Sequence, residues 1–244
     1  NGGITMAGTW ESQNKVIPGA YINIRTNTPL SITAGDRGTV VIAQELSKGT
    51  DASLYEITAS EMNYPEGATA ADKKLAELAL LGAKTVLLYK LPATHKDEAI
   101  TAMLKTLKTV DFDVLVYPYA KSSTSSSTAQ QTIATWVKSM QDDEGKNVTA
   151  VLPNYEADSE YTINSVQGVT LSDGSTLTVY EAAAWVGGIT AGASVTKSNT
   201  AQKFIGAIDV TPRMTRSEQE AAIKAGKFLL DVDRSCRRYD DQVL

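Results

Sequence analysis

Three nearly unbroken apolar runs, at residues 85–89, 113–117 and 147–152, alternate with stretches whose apolar positions recur every three to four residues. Runs of that length without alternation mark strands covered on both faces. Segment 97–109 carries Ile100, Leu104 and Leu107 on one side, and a second helical segment spans 129–141 after a Ser/Thr-rich loop at 121–128. Strand, helix, strand, helix, strand predicts a parallel sheet with right-handed crossovers. Just upstream, Leu75, Leu78 and Ala79 place a helix over 70–81, and Gly82 ends it.

Around this core the pattern loosens. Ile32, Val40, Val41 and Ile42 predict two short strands about the turn Gly35-Asp36-Arg37-Gly38. Residues 51–66 read as mixed, with a short helix and then a turn at Tyr64-Pro65-Glu66-Gly67. Further on, 161–169 reads as a strand and Asp173-Gly174 as a hairpin turn. Residues 179–191 form an apolar, Ala-rich helix whose Gly187 and Gly188 permit close packing at some cost in helix propensity. A strand over 204–211, a helix over 215–225 opened by a Thr215–Glu218 capping box, and a strand over 227–232 complete the pattern. The expected class is α/β: a central, mostly parallel sheet with flanking helices, an added small β-rich, α+β portion and an extended N-terminal arm.

Residues 6–26 stand apart. Trp10 has no apolar partner nearby, Pro18-Gly19 interrupts the chain, and 20–26 alternates as a short strand cut off by Asn27-Thr28-Pro29. A strand without a local hairpin partner finds one far away or on another molecule, because an unpaired edge is a liability. The stretch points to assembly before chemistry. Met6 resembles a native start, with residues 1–5 as a remnant.

Composition narrows the function. A chain of 244 residues with 42% hydrophobic positions can build one large domain or two modest ones. A net charge of −5 argues against a nucleic-acid partner. No apolar run is long enough to cross a membrane and no signal-peptide pattern opens the chain, so membrane insertion is not expected and the origin reads as cytosolic. The single Cys236 excludes an intramolecular disulfide and a cysteine metal cluster, and reads as a free thiol near a chain end.

Candidate chemistry is sparse. A serine or cysteine triad needs a histidine, and only His95 exists. It falls in a loop entering a helix, with Thr94 as candidate N-cap, and reads as a solvated loop residue. In an open parallel sheet ligands sit at the strand carboxyl ends, which here means loops 90–96, 118–128 and 153–161. The second offers many hydroxyls and Lys121, and its backbone amides could cradle an anion; yet neither dinucleotide nor P-loop glycine spacing occurs. The plainer reading is a hydroxyl-rich surface loop. Asp142-Asp143-Glu144 reads as a solvated helix end, Asp231 and Asp233 lack the other ligands of a calcium loop, and Glu156, Asp158 and Glu160 lie in a loop. No catalytic residue, cofactor or metal ligand is assigned.

Four ordered stretches resemble the tail sheath proteins of contractile phage tails and defective prophages: Thr9-Trp10 with 13–24, Asp36-Arg37-Gly38, 196–200 followed by 206–210, and 215–228. The resemblance implies a structural subunit, forming hexameric rings around a tail tube, whose contraction drives the tube through the host envelope. It implies neighbouring copies and the tube protein as partners, no enzymatic activity, no cofactor, and a place in the virion after assembly in the bacterial cytoplasm. It assigns Trp10, Val16, Tyr21, Ile22 and Ile24 to an arm donated to a neighbouring subunit. The expected division is an arm over 1–28, a body over 29–233 with core 70–153 and additional portion 154–233, and an atypical tail over 234–244 where the family's C-terminal domain is expected and absent. Without that domain the chain is not expected to build sheath tubes. Two other readings compete: a flavodoxin-like enzyme or ligand-binding protein using loop 118–128 for an anion, and an adaptor whose first strand augments a partner's sheet.

Overall fold

The computed structural model describes residues 37–120, 128–157, 159–194, 199 and 202–232. The arm residues Trp10, Val16, Tyr21, Ile22 and Ile24, the strand at Ile32, and the tail over 234–244 lie outside them. The apolar runs become strands β3 (Thr85–Leu91), β4 (Val114–Val116) and β5 (Thr149–Val151), and the periodic segments become α1 (Ala70–Leu80), α2 (Asp97–Leu107) and α3 (Ala129–Asp142). β1 (Thr39–Glu45) and β2 (Leu54–Thr58) precede this series around α1, and β6 (Thr162–Ser165), β7 (Gly168–Leu171) and β8 (Thr176–Leu177) follow it. The remaining elements are α4 (Val179–Ala191), β9 (Ala207–Thr211), α5 (Arg216–Lys224) and β10 (Lys227–Phe228).

The main sheet runs β10-β6-β5-β4-β1-β3-β2, and a three-stranded sheet runs β8-β7-β9. All ladders of the main sheet are parallel except β2 on β3. The class is therefore α/β with a small added antiparallel portion, as expected. One local expectation fails. Residues 54–58 form an edge strand rather than part of a helix, because Ile57 is sealed against the core while Glu56 points to solvent. The strand expected at Val40, Val41 and Ile42 is β1, which pairs in parallel with β3 on one side and β4 on the other with residues 40–43 fully buried, while its expected companion at Ile32 lies outside the described residues.

Strand alternation divides the core into two layers. Val40, Ile42, Val86, Leu88, Val114 and Val116 meet α1 and α4, whereas Val41, Ala43, Tyr89, Leu91, Leu115 and Tyr117 meet α2 and α3. Helix α4 is apolar all round, the pattern of a helix covered on every side. It packs on α1, on β1, β4 and β5 of the main sheet, and on β7 and β8 of the small one. Its glycines set the distances. A Cβ on Gly188 would lie 2.2 Å from the Ala79 carbonyl oxygen, and one on Gly192 would lie 2.1 Å from that of Gly82. Gly82 does follow α1, but its need is space rather than a left-handed turn: a Cβ there would sit 2.4 Å from the Ile189 nitrogen. At the far end of α4, Gly38 adopts φ +91° and faces the Ala191 carbonyl, a physical reason for the glycine in Asp36-Arg37-Gly38.

Gly188→Ala forces α1 and α4 apart and is expected to cost about 1–3 kcal/mol, as overpacking does. Urea unfolding followed by tryptophan fluorescence measures it; an unchanged midpoint would show that the close approach is not needed.

Candidate functional site

The strand order places a topological switch at β1: β3, the next strand in the chain that runs parallel to it, lies on one side while β4 lies on the other. Ligands of open α/β sheets enter at such points, at the strand carboxyl ends. Here that corner is built from Glu45 at the end of β1, Tyr117 and Tyr119 after β4, and His95 from the β3–α2 loop.

His95 is fully buried, contrary to the solvated position expected of it. Its ring stands edge-on to Tyr117 at 5.9 Å and tilts against Tyr119 at 4.7 Å between centroids. Nδ1 lies 3.1 Å from Glu45 Oε1 and 3.4 Å from the Pro92 carbonyl oxygen. Both neighbours accept, so Nδ1 carries the proton. Nε2 and the Tyr117 hydroxyl are buried without a hydrogen-bond partner among the described residues. The Glu45 backbone N–H donates to the Tyr119 hydroxyl oxygen at 2.5 Å. Burial pushes the phenols of Tyr117 and Tyr119 well above the ordinary tyrosine range. A carboxylate orienting an imidazole is part of a catalytic vocabulary. Here the imidazole is sealed and has no surface from which to exchange a proton with a substrate. Thr94 does not cap α2; Lys96 holds that position without a side-chain bond.

The helix N-terminus nearest the end of β1 is also occupied. Asp72, the third residue of α1, closes a capping box with Thr69, accepting from the Thr69 N–H and Oγ1, each at 2.8 Å. It also accepts from the Ser47 N–H at 3.0 Å and from the Ser47 hydroxyl. Gln44 Nε2 donates to the Asp72 carbonyl at 2.6 Å. Burial raises the Asp72 carboxyl, but the Ser47 and Thr69 donors outweigh it and hold the pKa at about 2 against an ordinary 3.8. The place where a helix end attracts an anionic ligand holds the chain's own carboxylate.

The other candidates disperse. Most of loop 118–128 lies outside the described residues; at its end Thr128 Oγ1 donates to Asp97 Oδ1 at 2.8 Å. Glu156 pairs with Lys227 at 2.9 Å and Glu144 with Lys108 at 2.6 Å. Asp231 accepts from Gln219 and from the Val232 N–H, while Asp158, Asp233 and Cys236 lie outside the described residues. Among the described residues no three metal-ligating side chains converge. A groove of about 620 Å³ lies away from the strand ends, between α2 and α3, along Leu104, Lys105 and Trp136.

Residues 93–239 match the family described as phage tail sheath protein central domain. The chain belongs to the phage tail sheath family. It is 35% identical over 133 residues to the Bacillus subtilis phage-like element PBSX protein XkdK, covering 54% of this chain and 28% of that one. The chain thus spans little more than a quarter of that relative. The sheath tail protein of Desulfitobacterium hafniense superposes with a TM-score of 0.73 at 25% identity, over 88% of this chain and 72% of that one. The anti-feeding prophage helical sheath in its contracted state shares the fold at a TM-score of 0.54 and 15% identity, over 89% and 66% of the two chains. The resemblance read from the ordered motifs is thereby established. The sealed sheath-family corner is what residue-by-residue reading missed: His95 sits among polar neighbours in sequence, and only Tyr117 and Tyr119, brought from β4, bury it. Two capping boxes were also passed over, although Thr69-x-x-Asp72 and Thr178-x-x-Glu181 carry the same spacing as Thr215-x-x-Glu218.

His95→Ala leaves a cavity and is expected to destabilise by about 2–4 kcal/mol in urea titrations, where a solvated histidine would give almost no change. The Asp72 carboxyl is depressed in the folded state, so its contribution is complete above the unfolded value near 4 and is lost as pH falls toward 2. Asp72→Asn is expected to lower stability at neutral pH by roughly 1–3 kcal/mol. It also flattens the decline of the melting temperature between pH 4 and pH 2, and an unaltered acid slope would remove Asp72 as its source.

Proposed function

We propose that this chain is a structural subunit of a contractile phage tail sheath. In this reading the subunits form hexameric rings stacked around the tail tube, and contraction drives the tube through the host envelope. The match of residues 93–239 to the sheath central domain carries the proposal. The closed strand-end corner is consistent with it, since a body that transmits force gains from a filled core and has no need of a ligand crevice. Partners are neighbouring copies and the tail tube protein, without nucleic acid or membrane insertion. The subunit assembles in the bacterial cytoplasm and resides in the virion.

Trp10, Val16, Tyr21, Ile22 and Ile24 form the arm, with residues 1–28 reaching a neighbouring subunit and 29–233 forming the body. Main-chain pairing suits such a link because it holds while the bodies turn, and its specificity comes from alternate side chains such as Tyr21 and Ile22. A proline removes a backbone donor from any strand it enters. The double substitution I22P/I24P is therefore expected to weaken self-association at least tenfold in sedimentation equilibrium, with the melting temperature of the body unchanged. Equal association of the two proteins would sink the arm assignment. A screen with flavins, nucleotides and sugar phosphates is expected to leave the melting temperature unmoved; a ligand-dependent rise would favour the ligand-binding reading instead.

A further inference from the structure

The small sheet ends on β9, whose outer side meets no other strand among the described residues. The β7–β8 hairpin determines which backbone groups face outward there. The Leu171 N–H donates to the Ser175 carbonyl across that hairpin at 2.8 Å, and Val169 stands opposite Leu177 in the same ladder. Odd positions of β7 therefore turn their backbone groups toward β8, while Gly168 and Thr170 turn theirs toward β9. Val169 also stands opposite Val210, so that pair exchanges no backbone bonds. The Val210 N–H and C=O consequently point to the open edge.

That N–H is covered. Asp209 Oδ1 accepts it at 2.9 Å. Arg213 holds the same carboxylate, with Nε at 2.7 Å from Oδ1 and 3.0 Å from Oδ2 and Nη2 at 2.5 Å from Oδ2. Two residues beyond Val210, Pro212 has no N–H to offer. Beside these lie Ile208, 57% exposed, and Ile205, 63% exposed. An edge strand flanked by bare isoleucines is a template for another strand, and natural proteins blunt such edges with charge and proline.

We propose that Asp209 and Arg213 form an edge guard that keeps β9 from pairing antiparallel with β9 of a second copy. The strand is self-complementary: a two-fold axis through Val210 sets Ile208 of each copy against Pro212 of the other, an apolar match repeated on both sides of the axis. The guard removes the central donor that such a pair requires.

Sedimentation equilibrium of the full chain tests this with wild type, D209A, R213Q and D209A/I208K, each checked for folding by circular dichroism. D209A is expected to raise the association constant at least tenfold, because the two-fold pairing gains two backbone hydrogen bonds, one from the Val210 N–H of each copy. R213Q shifts it in the same direction, and I208K returns the double variant to the wild-type value. Association carried by the N-terminal arm is common to all four and cancels in the comparison. Folded D209A and R213Q that associate no more than wild type overturn the proposal, as does an increase that I208K leaves in place. If D209A fails to fold, R213Q decides alone.

Discussion

Everything in this body depends on how closely α4 approaches α1. At Gly82, Gly188 and Gly192 the two helices touch backbone to backbone, with no side chain between them. Glycine inside a helix costs about 1 kcal/mol relative to alanine, so Gly187 and Gly188 within α4 are tolerated because the approach gains packing elsewhere, while Gly82 and Gly192 lie just past the helix ends. The gain is visible on the other sides of α4. Gly187 lets the helix settle on Val116 of the main sheet, and Trp185 stacks on Phe204 at 4.4 Å beneath the small sheet. The Lys74–Glu181 ion pair spans the same two helices from the surface. One buried helix thus ties together both sheets and the α1 layer.

The strand-end corner shows the same economy of space. An open α/β sheet offers a crevice at its switch point, and many folds of this kind fill it with a ligand. In this sheath-family chain Asp72 takes the helix end, while Tyr119 and His95 take the volume. Fold alone does not give function, since one architecture hosts both enzymes and structural subunits. Here His95, Tyr117 and Tyr119 fill the corner between the ends of β1 and β4.

Much of the body was legible in the chain. The runs 85–89, 113–117 and 147–152 and the helices between them appear within a few residues of their expected bounds, because burial on both faces leaves a continuous apolar run. The Thr215–Glu218 cap was legible for a similar reason, since both partners lie within one helical turn. β2 was not: five residues with a single sealed side chain, Ile57, carry too little pattern to outweigh their polar surroundings. The candidate site was the least legible part. His95 has Thr94 and Lys96 beside it in sequence, and nothing local announces two tyrosines from another strand.

By itself the sequence determined the α/β class, the principal helices and strands, the cluster of small residues in α4 and the membership announced by ordered motifs. Tertiary structure alone decided that β1 lies inside the sheet between β4 and β3, that His95 is sealed, and that Asp72 occupies the N-terminus of α1 beside the end of β1. The reason is the range of the interactions. Periodicity records that a position is buried but not what buries it. The decisive partners here, Glu45 with Tyr119 and Lys74 with Glu181, stand 74 and 107 residues apart.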